Sequence, residues 1–234
     1  MKRMNRNHIL WVLIPCMMWS FLFGCGDEGK RKPQVSSVPE SFEFMGIGAN
    51  TVIDGDVRDR LKDALGSAAV NPRTSIDLTM KYDGFLNSYY PDLAKLNQRL
   101  NVNDVVLKEY PATKLTFRNT KEGSVFTYVE LIYGHHSGSP LLIKMIAPKE
   151  DIPQLIKRLK EKYGAPEKIS TSKGQSWSLS WHKNNDVFVI ARLLSRDDQP
   201  EYFMMIVYTN RLKQLMARSV EEKQQGAKQA GDIF

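Results

Sequence analysis

Residues 176–194 read SWSLSWHKNNDVFVIARLL, and this stretch decides the fold class. Trp177, Leu179 and Trp181 alternate with Ser176, Ser178 and Ser180, the period of a strand with one apolar and one wet face. Lys183-Asn184-Asn185-Asp186 then supplies a turn, because asparagine tolerates the left-handed backbone of a tight hairpin. Val187 to Leu194 is apolar on both sides and so reads as a strand covered above and below. Tyr202 to Tyr208 adds a third apolar run, completing an antiparallel meander.

Working outward, Ile152, Leu155, Ile156, Leu159 and Tyr163 recur at helical spacing and stop at Gly164 and Pro166. The same order stands earlier in the chain, at an offset of about 63 residues. A helix opening at Pro91 carries Leu93, Leu96 and Leu100. Apolar strands follow at 113–118, 125–133 and 141–146, with Lys121-Glu122-Gly123 as the first turn. Leu115 and Phe117 alternate with Lys114, Thr116 and Arg118, again giving one wet face. The pattern predicts an α+β fold: two helix-plus-three-stranded antiparallel meander units, 91–147 and 150–209, forming sheet with helices on one face. Terminal helices are added. The first carries Val57, Leu61, Ala64, Leu65 and Ala68 behind Asp56 as cap and ends at Asn71-Pro72; a short strand with Ile76, Leu78 and Met80 follows. The last carries Leu212, Leu215, Met216 and Val220 behind Asn210. The doubly apolar central strands require a second cover, either the protein's own helices or a partner.

The N-terminus has a basic start (Lys2, Arg3, Arg6) and an apolar run from Ile9 to Phe23 that contains Pro15, too short for the roughly 20 apolar residues of a membrane span. It closes on Leu22-Phe23-Gly24-Cys25. These four residues resemble the lipobox of bacterial lipoproteins, with Phe23 departing from the small residue usual at its position. The resemblance implies cleavage between Gly24 and Cys25, a covalent lipid (palmitate-type acyl chains) on Cys25, and a periplasm-facing lipoprotein held in a bacterial membrane. Gly26 in place of Asp after Cys25 favours the outer membrane over the inner. Two or more acyl chains hold a protein stably where one is marginal. The expected organisation is a signal peptide at 1–24, lipidated Cys25 and flexible tether at 25–41, one domain at 42–220 and a polar tail at 221–234.

Without residues 1–24 the chain keeps 30 basic and 26 acidic residues, a surplus too small and too scattered for nucleic acid. Lys30, Arg31 and Lys32 cluster near the expected lipid, where anionic headgroups attract them. Cys16 leaves with the signal and Cys25 is consumed by lipid, so the mature domain depends on its core and not on disulfides.

Candidate chemistry is sparse. His135 and His136 sit in Gly134-His135-His136-Ser137-Gly138, between two strands, without the third ligand that a metal site needs. Gly174-Gln175-Ser176-Trp177-Ser178 ends in serine where a nucleophile elbow has glycine. Gly46-Ile47-Gly48-Ala49-Asn50-Thr51 lacks the surroundings of a dinucleotide fingerprint. Asp54, Asp56, Asp59, Asp63, Glu150 and Asp151 gather at helix starts, where acids complement the dipole.

In element order the stretch from Pro91 to Tyr208 resembles the small lipoprotein subunits of the outer-membrane β-barrel assembly machine and the tandem-repeat β-lactamase-inhibitor-like fold. The whole chain is similar to uncharacterised Gram-negative envelope lipoproteins. The expectation is a non-catalytic binding protein with no cofactor beyond the lipid on Cys25, partnered by the membrane and a protein or envelope component. A lipid-anchored hydrolase or metal-binding protein using His135 and His136 is the alternative.

Overall fold

Eight strands form one antiparallel sheet in a computed structural model that describes residues 36–81, 84–101, 112–118, 120–121, 123–170, 176–194 and 199–231. In chain order the elements are α1 (Gly55–Leu65), β1 (Ala68–Arg73), α2 (Gly84–Tyr89), α3 (Pro91–Asn101), β2 (Ala112–Arg118), β3 (Tyr128–Gly134) and β4 (Pro140–Ala147). After a 3-10 turn at Lys149–Asp151 come α4 (Ile152–Tyr163), β5 (Glu167–Ser170), β6 (Trp177–Lys183), β7 (Asp186–Leu194), β8 (Pro200–Val207) and α5 (Thr209–Gly231). The sheet order β1-β2-β3-β4-β8-β7-β6-β5 is two four-stranded meanders joined through their last strands. The fold is α+β, as the alternation predicts.

Each expected strand of three has a fourth on its outer side. β1 contains Asn71-Pro72, read from sequence as a helix stop; proline is tolerated here because an edge strand leaves one side unpaired. α1 therefore ends earlier, at Gly66, and its cap is Asp54 and not Asp56: the Asp54 carboxylate accepts from the Val57 N–H at 3.1 Å. Asn184 and Asn185 both take positive φ, 51° and 68°, and close the β6–β7 hairpin as expected of the pair. α5 continues through the expected polar tail as far as Gly231, a stretch of Glu, Lys, Gln and Ala, residues of high helix propensity.

The expectation of helices on one face does not hold. On the first face, α1 and α4 pack with an N-terminal arm, residues 36–53, over a row that the register runs through Leu115, Leu131, Ile143, Ile206, Phe188 and Trp181. On the second, α2, α3 and α5 join Ile76, Leu78 and Met80 over Leu142, Val207, Val187 and Val189. The doubly apolar strands are thus sandwiched by the chain itself. Residues 76–80 alternate as anticipated but pair with no strand; the Leu78 N–H donates to the Asn97 side chain at 2.8 Å and the Asn101 amide to the Ile76 carbonyl at 3.2 Å, tying this strap to α3. The expected wet face of β6 is dry: Ser178 and Ser180 are buried, and the Tyr90 hydroxyl donates to Ser178 Oγ at 2.9 Å.

The anticipated repeat offset also fails, since α3 packs on the opposite face from α4. α1 is the helix that shares α4's face and local geometry. Each ends at a glycine, Gly66 or Gly164, with φ +94° or +84°, whose N–H donates to Lys62 or Lys160 before an edge strand begins.

The arm includes residues 36–41 of the expected tether. Arg211, on α5, donates to the carbonyls of Ala49 (2.8 Å) and Ser36 (2.7 Å) and to Asn50 Oδ1 (2.7 Å). Asn50 in turn fastens both the N–H and carbonyl of Val38. Ser41 Oγ donates to the buried Asp186 carboxylate, and the Tyr208 hydroxyl to the carbonyls of Phe42 and Ile47. Burial raises the pKa of both Asp186 and Tyr208.

Candidate functional site

A cleft of about 650 Å³ opens on the second face, between α3, α5 and the β5–β7 end of the sheet. Helical spacing divides α3 in two: Leu93, Leu96 and Leu100 enter the core, while Asp92, Lys95 and Arg99 stay exposed. Leu93 and Leu96 also form the cleft's inner wall, with Val187 and Ile169 on the sheet. Tyr89 and Tyr90 close one end. Tyr90 is held by its hydroxyl bond to Ser178, and burial raises its pKa, so the phenol stays neutral.

The charged groups are on the rim. Lys95 and Arg99 come from α3 and Lys213 from the facing part of α5; Asp92 and Glu167 are the acids. Each acid has a neighbour, Lys95 Nζ 4.0 Å from Asp92 and the His182 ring nitrogen Nε2 3.9 Å from Glu167, contacts exposed enough to contribute little stability. Among the described residues, Arg99 and Lys213 form no hydrogen bond or ion pair. The volume falls within the roughly 300–1,000 Å³ of small-molecule sites, which combine an apolar lining with a few orienting polar groups.

A second charged cluster lies on the same face of the first meander. Lys114 Nζ and Glu130 Oε2 stand 3.1 Å apart with side chains only 16% and 12% exposed, and the Tyr128 hydroxyl donates to the same oxygen at 2.8 Å. Burial and Glu130 push the Tyr128 phenol up to about 12. Lys144 donates to the Thr79 carbonyl at 2.8 Å, and burial lowers its pKa. Asp77 is partly buried, but hydrogen bonds from the Thr79 side chain and N–H, with Lys144 nearby, outweigh that and lower its pKa. The donors and acceptors here satisfy one another, which fits a structural network better than a receptor.

His135 and His136 stand exposed at the β3–β4 turn, ring centroids 5.0 Å apart, with His135 Nδ1 bonded to Thr113 Oγ1 at 2.8 Å. Among the described residues no three His, Cys, Asp or Glu side chains converge as metal ligands. The turn instead docks on the arm: the Ile53 N–H donates to the Gly138 carbonyl at 2.8 Å, and a Cβ on Gly138 would come within 2.8 Å of Val52. Gly46 (φ +77°) follows Met45 (φ +51°) in a tight turn closed by paired bonds between Phe44 and Ile47, so that glycine-containing stretch serves the arm. Ser176 leads into β6, while Gly174 and Gln175 lie outside the described residues, as do Gly24, Cys25 and Lys30 to Lys32. Among the described residues no helix is long and apolar enough to cross a membrane. Compared with protein-family models, curated proteins and solved structures, the chain matches none.

The rim of the cleft was readable in part, as Asp92, Lys95 and Arg99 repeat at three and four residues on α3. Its other wall was not, because Lys213 is one of many lysines and nothing local brings it opposite α3. Arg211 likewise carries no sequence signal of its buried role.

Proposed function

We propose that this chain is a lipid-anchored, non-catalytic binding protein of the bacterial envelope, facing the periplasm, which holds a protein or envelope component at the cleft between α3, α5 and β5–β7. The cleft carries the reading: an apolar inner wall, a charged rim, and unpaired Arg99 and Lys213 on two separate helices. The Leu22-Phe23-Gly24-Cys25 junction supports the anchor, with the outer membrane favoured. We further read the two halves as copies of one helix-plus-meander unit, supported by the matching glycine ends of α1 and α4 and the mirror order of the sheet.

A photo-crosslinking residue in place of Asp92, which lines the cleft without being one of its two unpaired cations, in the full chain expressed in cells, tests the binding surface. The expected result is a discrete adduct that is missing when the same residue replaces Asp63 on α1. Identical adducts at both places, or none at Asp92, would remove the cleft as the partner's site. The mass of the mature N-terminal peptide tests the anchor independently: acyl chains on Cys25 are expected, and an unmodified cysteine refutes it.

A further inference from the structure

We infer that the cleft's ligand is a small amphipathic anion, an aromatic or aliphatic body bearing one carboxylate, sulfonate or phosphate; this deepens, and rests on, the reading of the cleft as the binding place. Two features select that chemistry. The inner wall offers Leu93, Leu96, Ile169 and Val187, with the half-buried Tyr89 ring at one end, a lining that takes an apolar body. The rim offers positive charge in surplus. Lys95, Arg99 and Lys213 stand there against Asp92 and Glu167; Lys95 lies beside Asp92, and the Arg99 and Lys213 side chains pair with no acid among the described residues.

Those two cations line the one cleft from different helices, so an anion whose apolar tail lies on the inner wall meets positive charge from both sides. Arginine suits this task because its planar fork binds a carboxylate or phosphate through two parallel bonds, while a lysine on the facing wall adds a point charge. A cationic ligand of the same shape meets the opposite field. It gains only the apolar contact, so charge sets the preference. The charged cluster around Glu130 offers no comparable site, since Lys114 is paired there and Lys144 is spent on the Thr79 carbonyl.

The test uses the full-length protein in lipid nanodiscs, titrated with 4-phenylbutyrate and with 4-phenylbutylamine, which share an apolar body and differ in the sign of the head. Empty nanodiscs give the background. The acid should bind at least about tenfold more tightly than the amine, and Arg99→Gln and Lys213→Gln should each weaken the acid by about three- to tenfold while leaving the amine unchanged. Lys62→Gln on the opposite face should change neither. Thermal unfolding of each variant confirms the fold, which exposed positions allow. Equal binding of acid and amine, no binding of the acid, or acid binding indifferent to both substitutions overturns the inference. The crosslink at Asp92 is a separate readout: its presence with a failed titration means a different ligand in the right place, and its absence means the wrong place.

Discussion

The two halves of the sheet share a backbone and differ in what they turn toward the second face. One row of that face runs Thr116, Glu130, Lys144 across β2 to β4, then Met205, Val189 and Ser180 across β8 to β6. The hydrogen-bonded ladder is continuous through this row, but its chemistry changes from charged to aliphatic between Lys144 and Met205. What changes with it is the cover. α2, α3 and α5 lie over the second half and reach as far as Leu142 on β4, whereas among the described residues Glu130 and Lys144 are covered by the strap of residues 76–80, under which lysine and glutamate still find partners. On the first face no such change occurs, because the arm, α1 and α4 together cover both meanders. Side-chain polarity thus tracks the helices above the sheet and not position within the ladder.

Carrying charge across the boundary should break the fold outright. Met205→Lys places an ammonium beside Lys144 at a fully buried site, and a loss of about 3–5 kcal/mol is expected from an unpaired buried charge. Denaturant titration measures it; a loss below 1 kcal/mol would mean that the covers separate easily from the sheet. Leu96→Ala thins the cover itself and should cost about 2–4 kcal/mol, read as a lowered thermal midpoint. In the polar half the same scale of damage requires stranding a charge. Glu130→Gln strips Lys114 of its carboxylate and leaves Lys144 with Asp77 alone, and about 2 kcal/mol is expected by denaturant titration.

Lys144→Met, which replaces charge by volume, should be the mildest change, within about 1 kcal/mol at neutral pH. It also has a pH signature. Burial lowers the Lys144 pKa, so between that lowered value and the ordinary lysine value the unfolded chain holds more protons than the folded one. This group's contribution to stability therefore rises with pH through that window, and the methionine variant should lose the rise. An unchanged alkaline slope would show that Lys144 keeps its proton in the fold as readily as outside it.

Much of this arrangement was legible before any coordinates. Strand alternation from Trp177 to Trp181, the Asn184-Asn185 turn and the apolar faces of α3 and α4 are local signals, and signals of this kind placed six strands and four of the helices, α1, α3, α4 and α5. The two edge strands escaped for a physical reason. β5 has four residues and no alternation, and β1 contains Pro72; both exist because a neighbouring strand recruits them and not because of their own pattern. Ser178 and Ser180 misled for a related reason, as serine is small enough to be buried under the helices; Ser178 is satisfied there by Tyr90, while Ser180 Oγ has no hydrogen-bond partner among the described residues. The cleft was half legible, since α3 shows its own charged stripe while the opposite wall arrives through tertiary packing alone.

The clamp on the arm has a consequence for the order in which the molecule assembles. Ser36 and Arg211 are separated by 175 positions, Ser41 and Asp186 by 145, and Phe42 and Tyr208 by 166. A chain made from its N-terminus therefore displays Phe42, Phe44 and Ile47 uncovered until β7, β8 and the start of α5 have been delivered. Contacts of such long sequence separation come late and slowly. The first segment to emerge is among the last to be secured, and a chain that stops short of Thr209 leaves it with neither its arginine nor a finished sheet to lie against.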